Sequence, residues 1–213
     1  MVVVFDLDDT LYKEVDYLKS AYREIASKLG NFNVEELYQH MLEWYYTKEN
    51  VFEKIELLYS VEKSELLSLY RNHYPTISLA ENVLDTLNQL ESKGCTLGII
   101  TDGRSVVQRN KIKALGLSSW ISDDNIIISE EFGSEKPCEA NYRFFMGKYP
   151  DDEFVYVGDN IMKDFISPNK LGWKTICLLD DGRNIHKQEL AVPIANRADH
   201  DIVSLVDIQA IVF

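Results

Sequence analysis

The chain has 213 residues, 46% hydrophobic and 27% charged, a balance that excludes disorder as its main state and supplies a core for one domain with an insertion or for two small ones. Its formal net charge of -13, with Lys and Arg scattered singly, excludes nucleic acid and anionic membrane as partners, because most of the surface field repels them. An anionic ligand must then be received at one focused site, with a bound cation as the natural means.

In chain order, the apolar run Val2-Val3-Val4-Phe5 opens the sequence as a strand buried on both faces, since it is continuous and not alternating. The stretch 15–75 then shows no strand and four helical patterns. Leu18, Ala21, Tyr22, Ile25 and Leu29 recur at helical spacing before Gly30, Asn33 with Glu36 and Asn50 with Glu53 mark two further helix starts, and a last helix near 63–74 stops at Pro75. Beyond it, a helix over 80–93 ends at Gly94, and further buried strands follow at 97–101, 126–129, 154–157 and 175–179. Ser105 with Gln108 reads as a capping box opening a helix that ends near Gly116, and the tail after Asp180 reads as a short edge strand and a helix over 204–212. Strand and helix alternate outside the insertion. The expected fold is therefore α/β, a doubly wound parallel (Rossmann-like) sheet at 1–14 and 76–213 with a small all-helical domain at 15–75 inserted after the first strand.

The chemistry-bearing residues fall at strand ends, where loops of a parallel sheet converge. The first strand runs into Asp6-Leu7-Asp8-Asp9-Thr10, which places two carboxylates two residues apart. Thr101-Asp102-Gly103 follows the second strand and offers a hydroxyl and backbone N–H groups suited to a phosphate. Lys136 precedes Pro137, read as a first-turn helix residue, so that the ammonium reaches back toward the phosphate. Gly158-Asp159-Asn160, with Asp164 beyond, supplies hard oxygen ligands for a divalent cation. Each element alone is common as a cap, turn or solvated side chain. All four, in order and each at a strand end, make a site.

Together, Phe5-Asp6-Leu7-Asp8-Asp9-Thr10-Leu11, Ile100-Thr101-Asp102-Gly103, Lys136-Pro137 and Val157-Gly158-Asp159 with Asp164 resemble the four ordered motifs of haloacid-dehalogenase-type phosphatases, over about 2–179. The resemblance implies a magnesium-dependent phosphohydrolase with Asp6 as nucleophile and Asp8 as general acid and then base. It implies Asp6, Asp159 and, through its backbone carbonyl, Asp8 on Mg2+, with Asp164 in support. Thr101 and Lys136 are implied to hold the phosphoryl oxygens, with Asp102 and Gly103 in the phosphate-facing turn. The insertion is similar to the family's cap domains. One departure is Asp102, where Asn is common.

The physics of phosphate monoesters suits these roles, since their hydrolysis needs about 25 kcal/mol or more of barrier reduction and an aspartyl-phosphate divides that task. Asp6 can approach a dianion only if magnesium and Lys136 offset the repulsion, and a second carboxyl held protonated can protonate the leaving alkoxide. Asp8 fits that role, which a carbon-halogen hydrolase does not require. The reading is thus a phosphatase of a small phosphorylated metabolite. The alternatives are a sugar-phosphate mutase, a phospho-receiver and a non-catalytic binding protein; a receiver's acceptor Asp follows a middle strand, where Thr101 stands here.

His40, His73, His186 and His200 do not cluster, so no histidine metal site is expected. Trp44-Tyr45-Tyr46, Tyr38 and Tyr59 read as core of the insertion, and Asp123-Asp124, Asp151-Asp152 and Asp180-Asp181 as solvated turns. Cys95, Cys138 and Cys177 lack metal or redox spacing and read as reduced core residues. With no leader-like start or membrane-length apolar run, they point to a cytoplasmic protein. Nothing in the sequence decides between monomer and homodimer.

Overall fold

The computed structural model describes residues 1–29, 33–189 and 191–213. Six parallel strands form one sheet: β1 (Val2–Phe5), β2 (Thr96–Thr101), β3 (Ile126–Ile128), β4 (Phe154–Gly158), β5 (Lys174–Leu178) and β6 (His200–Ile202), in the order β3-β2-β1-β4-β5-β6. The order reverses between β1 and β4, the switch point at which open α/β sheets place their ligands. Phe5 is level with Val157 of β4 and Ile99 of β2, so the carboxyl ends of the three central strands come together.

Period-two alternation divides the sheet's side chains between two cores. Val3, Phe5, Ile99 and Val157 face α5 (Glu81–Ser92), α6 (Ser105–Ala114) and α10 (Ile208–Val212) through Leu87, Leu90, Ile112 and Ile208. Val2, Val4, Ile100 and Tyr156 face α8 (Glu139–Lys148) through Tyr142 and Phe145. Phe5 is fully buried, a burial that contributes about 1.5–3 kcal/mol. Gly98 lets the Phe145 ring lie against β2, because a Cβ there would come within 2.6 Å of it.

Ahead of α5, four described helices follow β1: α1 (Glu14–Lys28), α2 (Val34–Tyr46), α3 (Val51–Tyr59) and α4 (Lys63–Asn72). They bury a core of their own around Ile25, Leu37, Met41, Ile55 and Leu66. The two asparagine starts are as expected, Asn33 and Asn50 accepting from the N–H of Glu36 and Glu53 at 3.4 and 3.3 Å. Gly30 lies outside the described residues. Helix α4 ends two residues before the expected Tyr74 because His73 is extended, its buried ring held by Ser20 Oγ at 2.7 Å and by Glu24, both on α1. The Thr76 N–H donates to the same Ser20 at 2.8 Å, fastening the point where the chain returns to the sheet.

Smaller corrections follow from packing. Ser105 is the first residue of α6 and not its cap, and the Gln108 side chain is used elsewhere; the tail instead carries a capping box at Ser204 and Asp207 ahead of α10. Cys138 is exposed and so is not a core residue, while Cys177 is buried and all three cysteines are free. Tyr46 is likewise exposed, whereas Trp44 and Tyr45 pack on the helical core. No described helix is long and apolar enough to cross a membrane.

Candidate active site

The Asp6 N–H donates to Val157 O at 2.8 Å, which fixes the first residue past β1 beside the end of β4. Lys136, with its side chain wholly buried, places Nζ 2.7 Å from Asp6 Oδ1 and 2.8 Å from Asp164 Oδ1. Pro137 does not open a helix as expected; α8 begins at Glu139, and Lys136 is held by its own N–H to Asp102 Oδ1 (3.0 Å) and by Nζ to the Tyr156 hydroxyl (3.1 Å). Gly158 makes room for Asp164, whose carboxylate a Cβ there would overlap. Carboxylate oxygens of Asp6, Asp159 and Asp164 lie within 4.8 Å of one another.

This cluster is short of positive charge. Burial, aided by the Asp164 and Asp8 carboxylates and only partly offset by Lys136, pushes Asp6 up to about 7. Burial and then the Asp6 and Asp164 charges push Asp159 up to about 9. Lys136 behaves oppositely, since Asp164 and Asp6 outweigh the burial that would lower it and hold its ammonium well above the ordinary value. Three buried carboxylates sharing one ammonium form a hard-oxygen donor set that a divalent cation fits, and magnesium is such a cation.

Asp8 points to other partners. Its carboxylate accepts from Lys111 Nζ at 2.7 Å, Gln108 Nε2 at 2.8 Å and the Tyr12 hydroxyl at 2.5 Å. Burial would raise its pKa, but Lys111, by charge and hydrogen bond, together with Tyr12 and Gln108, lowers it. In this arrangement Asp8 is therefore held ionised, not protonated as the acid role requires. Gln108 Nε2 also donates to Thr101 Oγ1 at 2.6 Å, and Gly103, at φ +145, leaves the space its side chain passes through, since a Cβ would sit 3.2 Å from it. The Gly103 N–H already donates to Ser129 Oγ at 2.9 Å, so it is committed within the protein and does not stand ready for a phosphate. Glu14, 3.6 Å from Lys111, is pushed up to about 7 by burial and by the Asp8 charge.

The segment after β5 closes the site from another side. Asp9, at φ +57, accepts from the N–H groups of Glu14 and Ile185, both at 2.9 Å. Buried Asn184 donates to Asp159 Oδ2 at 2.9 Å and accepts from Lys13 Nζ at 2.7 Å, while Gln188 donates to Asp159 O at 2.7 Å. Asp180, read as a solvated turn, accepts from Gly182 and Asn184 N–H groups and shapes this segment.

A cleft of about 110 Å³ opens over these groups, lined by Asp6, Asp8, Thr101, Asp102, Asp159 and Lys163 among others. Five of the eight residues expected from the sequence thus line it, and Lys136 and Asp164 lie directly beneath Asp6. Gly103 is not on the wall. Gln108, Lys111, Asn184, Gln188 and Lys163 were missed, although the first two carried a signal. Gln108, Lys111, Ile112 and Leu115 recur at i, i+3, i+4 and i+7, so two polar residues occupy the buried stripe of α6.

Residues 3–178 match the family model described as haloacid dehalogenase-like hydrolase. The chain is 28% identical over 193 residues to the glyceraldehyde 3-phosphate phosphatase of Methanocaldococcus jannaschii, covering 83% of this chain and 84% of that one. It is 30% identical over 197 residues to the protein of the same name from Methanopyrus kandleri, covering 82% of each. A HAD phosphatase structure from Thermococcus onnurineus superposes with a TM-score of 0.61 at 21% identity, covering 99% of this chain and 97% of that one.

Proposed function

The chain belongs to the haloacid dehalogenase-like hydrolase family and is a phosphatase, and from that premise we propose that it dephosphorylates a small sugar phosphate, with magnesium, through a phosphoryl group carried on Asp6. The observation that carries this reading is the Asp6 carboxylate on the cleft wall, 2.7 Å from the Lys136 ammonium and grouped with Asp159 and Asp164. The substrate class rests on the names of the relatives, which hydrolyse a phosphorylated triose.

In the first step an Asp6 oxygen bonds to phosphorus as the bond to the leaving oxygen breaks, and Lys136 offsets the charge gathered at Asp6. Thr101, its hydroxyl oriented by Gln108, receives a phosphoryl oxygen. Asp8 takes part as acid once its three donors release it and it has taken up a proton from solvent, which it passes to the leaving oxygen. Left ionised by that transfer, it accepts in the second step the proton of the water that attacks phosphorus. Asp6, Asp159 and the Asp8 backbone carbonyl would hold magnesium, with Asp164 in support. Bound there, the metal supplies charge that offsets the phosphoryl oxygens. The helices at 15–75 act as a cap that closes over the leaving group and excludes water. The setting proposed is cytoplasmic, in keeping with three free cysteines.

A panel of phosphorylated three- to five-carbon sugars, nucleotides and acids, assayed with magnesium and with a chelator, tests the proposal. Turnover is expected to fall on small sugar phosphates, to need no bisphosphate activator and to vanish in the chelator; equal rates with and without chelator would refute the metal dependence.

Asn184→Ala should weaken magnesium binding about tenfold or more, because an outer residue that orients a metal-binding carboxylate typically controls affinity on that scale. Calorimetric titration of the folded variant with magnesium reads this directly. An unchanged affinity removes Asn184 from the positioning role.

A further inference from the structure

The cleft wall is strongly acidic, yet a dianionic phosphoester must enter it, and one feature makes that harder. Asp102 puts a carboxylate in the phosphate-facing turn next to Thr101. A carboxylate there has no hydrogen to donate to phosphate, and its charge opposes the ligand. The structure shows both of its oxygens engaged. Oδ1 accepts the Lys136 N–H at 3.0 Å, and Oδ2 accepts Lys163 Nζ at 2.7 Å.

Lys163 lies in the loop between β4 and α9 (Ile166–Lys170), on the wall of the same cleft as Asp6 and Thr101. Its side chain is 34% exposed, so the ammonium faces the cleft and is not sealed in the core as Lys136 is. Asp102 holds it in place.

We propose that Lys163, positioned by Asp102, is a second phosphate-binding cation of this enzyme, paired with Asp102 so that the turn presents an ammonium to the entering phosphate. In this assignment Asp102 is a positioning residue. One oxygen sets the backbone of Lys136 and the other sets Lys163, and the charge that Asp102 adds is offset where it arises. The inference rests on the phosphatase reading and extends it to Lys163, which none of the four motifs names, and to a positioning role for Asp102.

The test is calorimetric titration of the magnesium-loaded protein with inorganic phosphate, alongside steady-state kinetics on one hydrolysed sugar phosphate. Lys163→Met should weaken phosphate binding and raise KM about tenfold, the scale of one charge-assisted hydrogen bond, with a smaller effect on kcat. Lys163→Arg should retain most of the affinity. Asp102→Asn keeps an acceptor for the Lys136 N–H, so D102N/K163M should bind phosphate more tightly than K163M alone, because the unpaired carboxylate is gone. An ordinary rim ion pair predicts otherwise, with all variants within about twofold of the parent. That result, or an arginine variant as weak as the methionine variant, overturns the assignment. Failure of the parent protein to bind phosphate and to hydrolyse any phosphoester would instead refute the phosphatase reading, and the assignment with it.

Discussion

Asp6→Asn is expected to lower turnover by about 10⁴-fold or more, the scale seen when a covalent nucleophile is removed, while the protein stays folded. The amide keeps the shape of the side chain but carries no charge and is a far weaker nucleophile. Stability should hold or rise, because the substitution takes one carboxylate from a buried group in which Asp6, Asp159 and Asp164 lie within 4.8 Å of one another. Lys136 keeps Asp164 as a partner at 2.8 Å. Steady-state rates with thermal unfolding of the same sample check both halves; a variant retaining more than a few per cent of parental kcat contradicts the nucleophile assignment.

Lys136→Met should also abolish most activity, but with the opposite effect on stability. Its ammonium is shared by Asp6 and Asp164 in a place with no exposed side-chain surface, so its removal leaves two buried carboxylates without their counter-charge. Breaking such a buried pair typically costs about 3–5 kcal/mol, which for a chain of this size lowers Tm by about 10 °C. Adding Asp6→Asn to Lys136→Met should recover part of that loss, since it removes one of the stranded charges. Two side chains 2.7 Å apart thus give variants that are both inactive but differ in Tm, Asp6→Asn at or above the parent and Lys136→Met below it. A Lys136→Met protein as stable as the parent would contradict the buried charge balance described here.

The contrast shows which parts of the molecule were legible in the sequence. The central strands were plain because residues buried on both faces of a parallel sheet form continuous apolar runs, and Val2–Phe5 has no polar member. The Asp6, Thr101 and Asp159 motifs were plain because each follows such a run at once. Gln108 was read as a capping residue, since a Ser followed by Gln three positions on satisfies the local pattern; only tertiary packing sends its amide to Asp8 and Thr101. Asn184 and Gln188 gave no signal. They sit in irregular chain, where neither helical nor strand periodicity exists to be broken. Asp8 was assigned a protonated form from its task, whereas Lys111, 103 residues away in sequence and on α6, decides its charge through a contact that no local motif announces. The end of α4 was set in the same way, by the contact of His73 with Ser20 and Glu24 and not by Pro75.

The central claim is that Asp6 itself carries the phosphoryl group, and rapid-quench trapping tests it most directly. The enzyme is mixed with magnesium and a sugar phosphate it hydrolyses, stopped within a single turnover, reduced with borohydride and mapped by peptide mass. The account predicts a reduced acyl-phosphate at Asp6 in the parent and none in Asp6→Asn. Modification at Asp8 or Asp159, or no modified residue during demonstrated turnover with rate-limiting hydrolysis, would contradict it and point to direct attack by water.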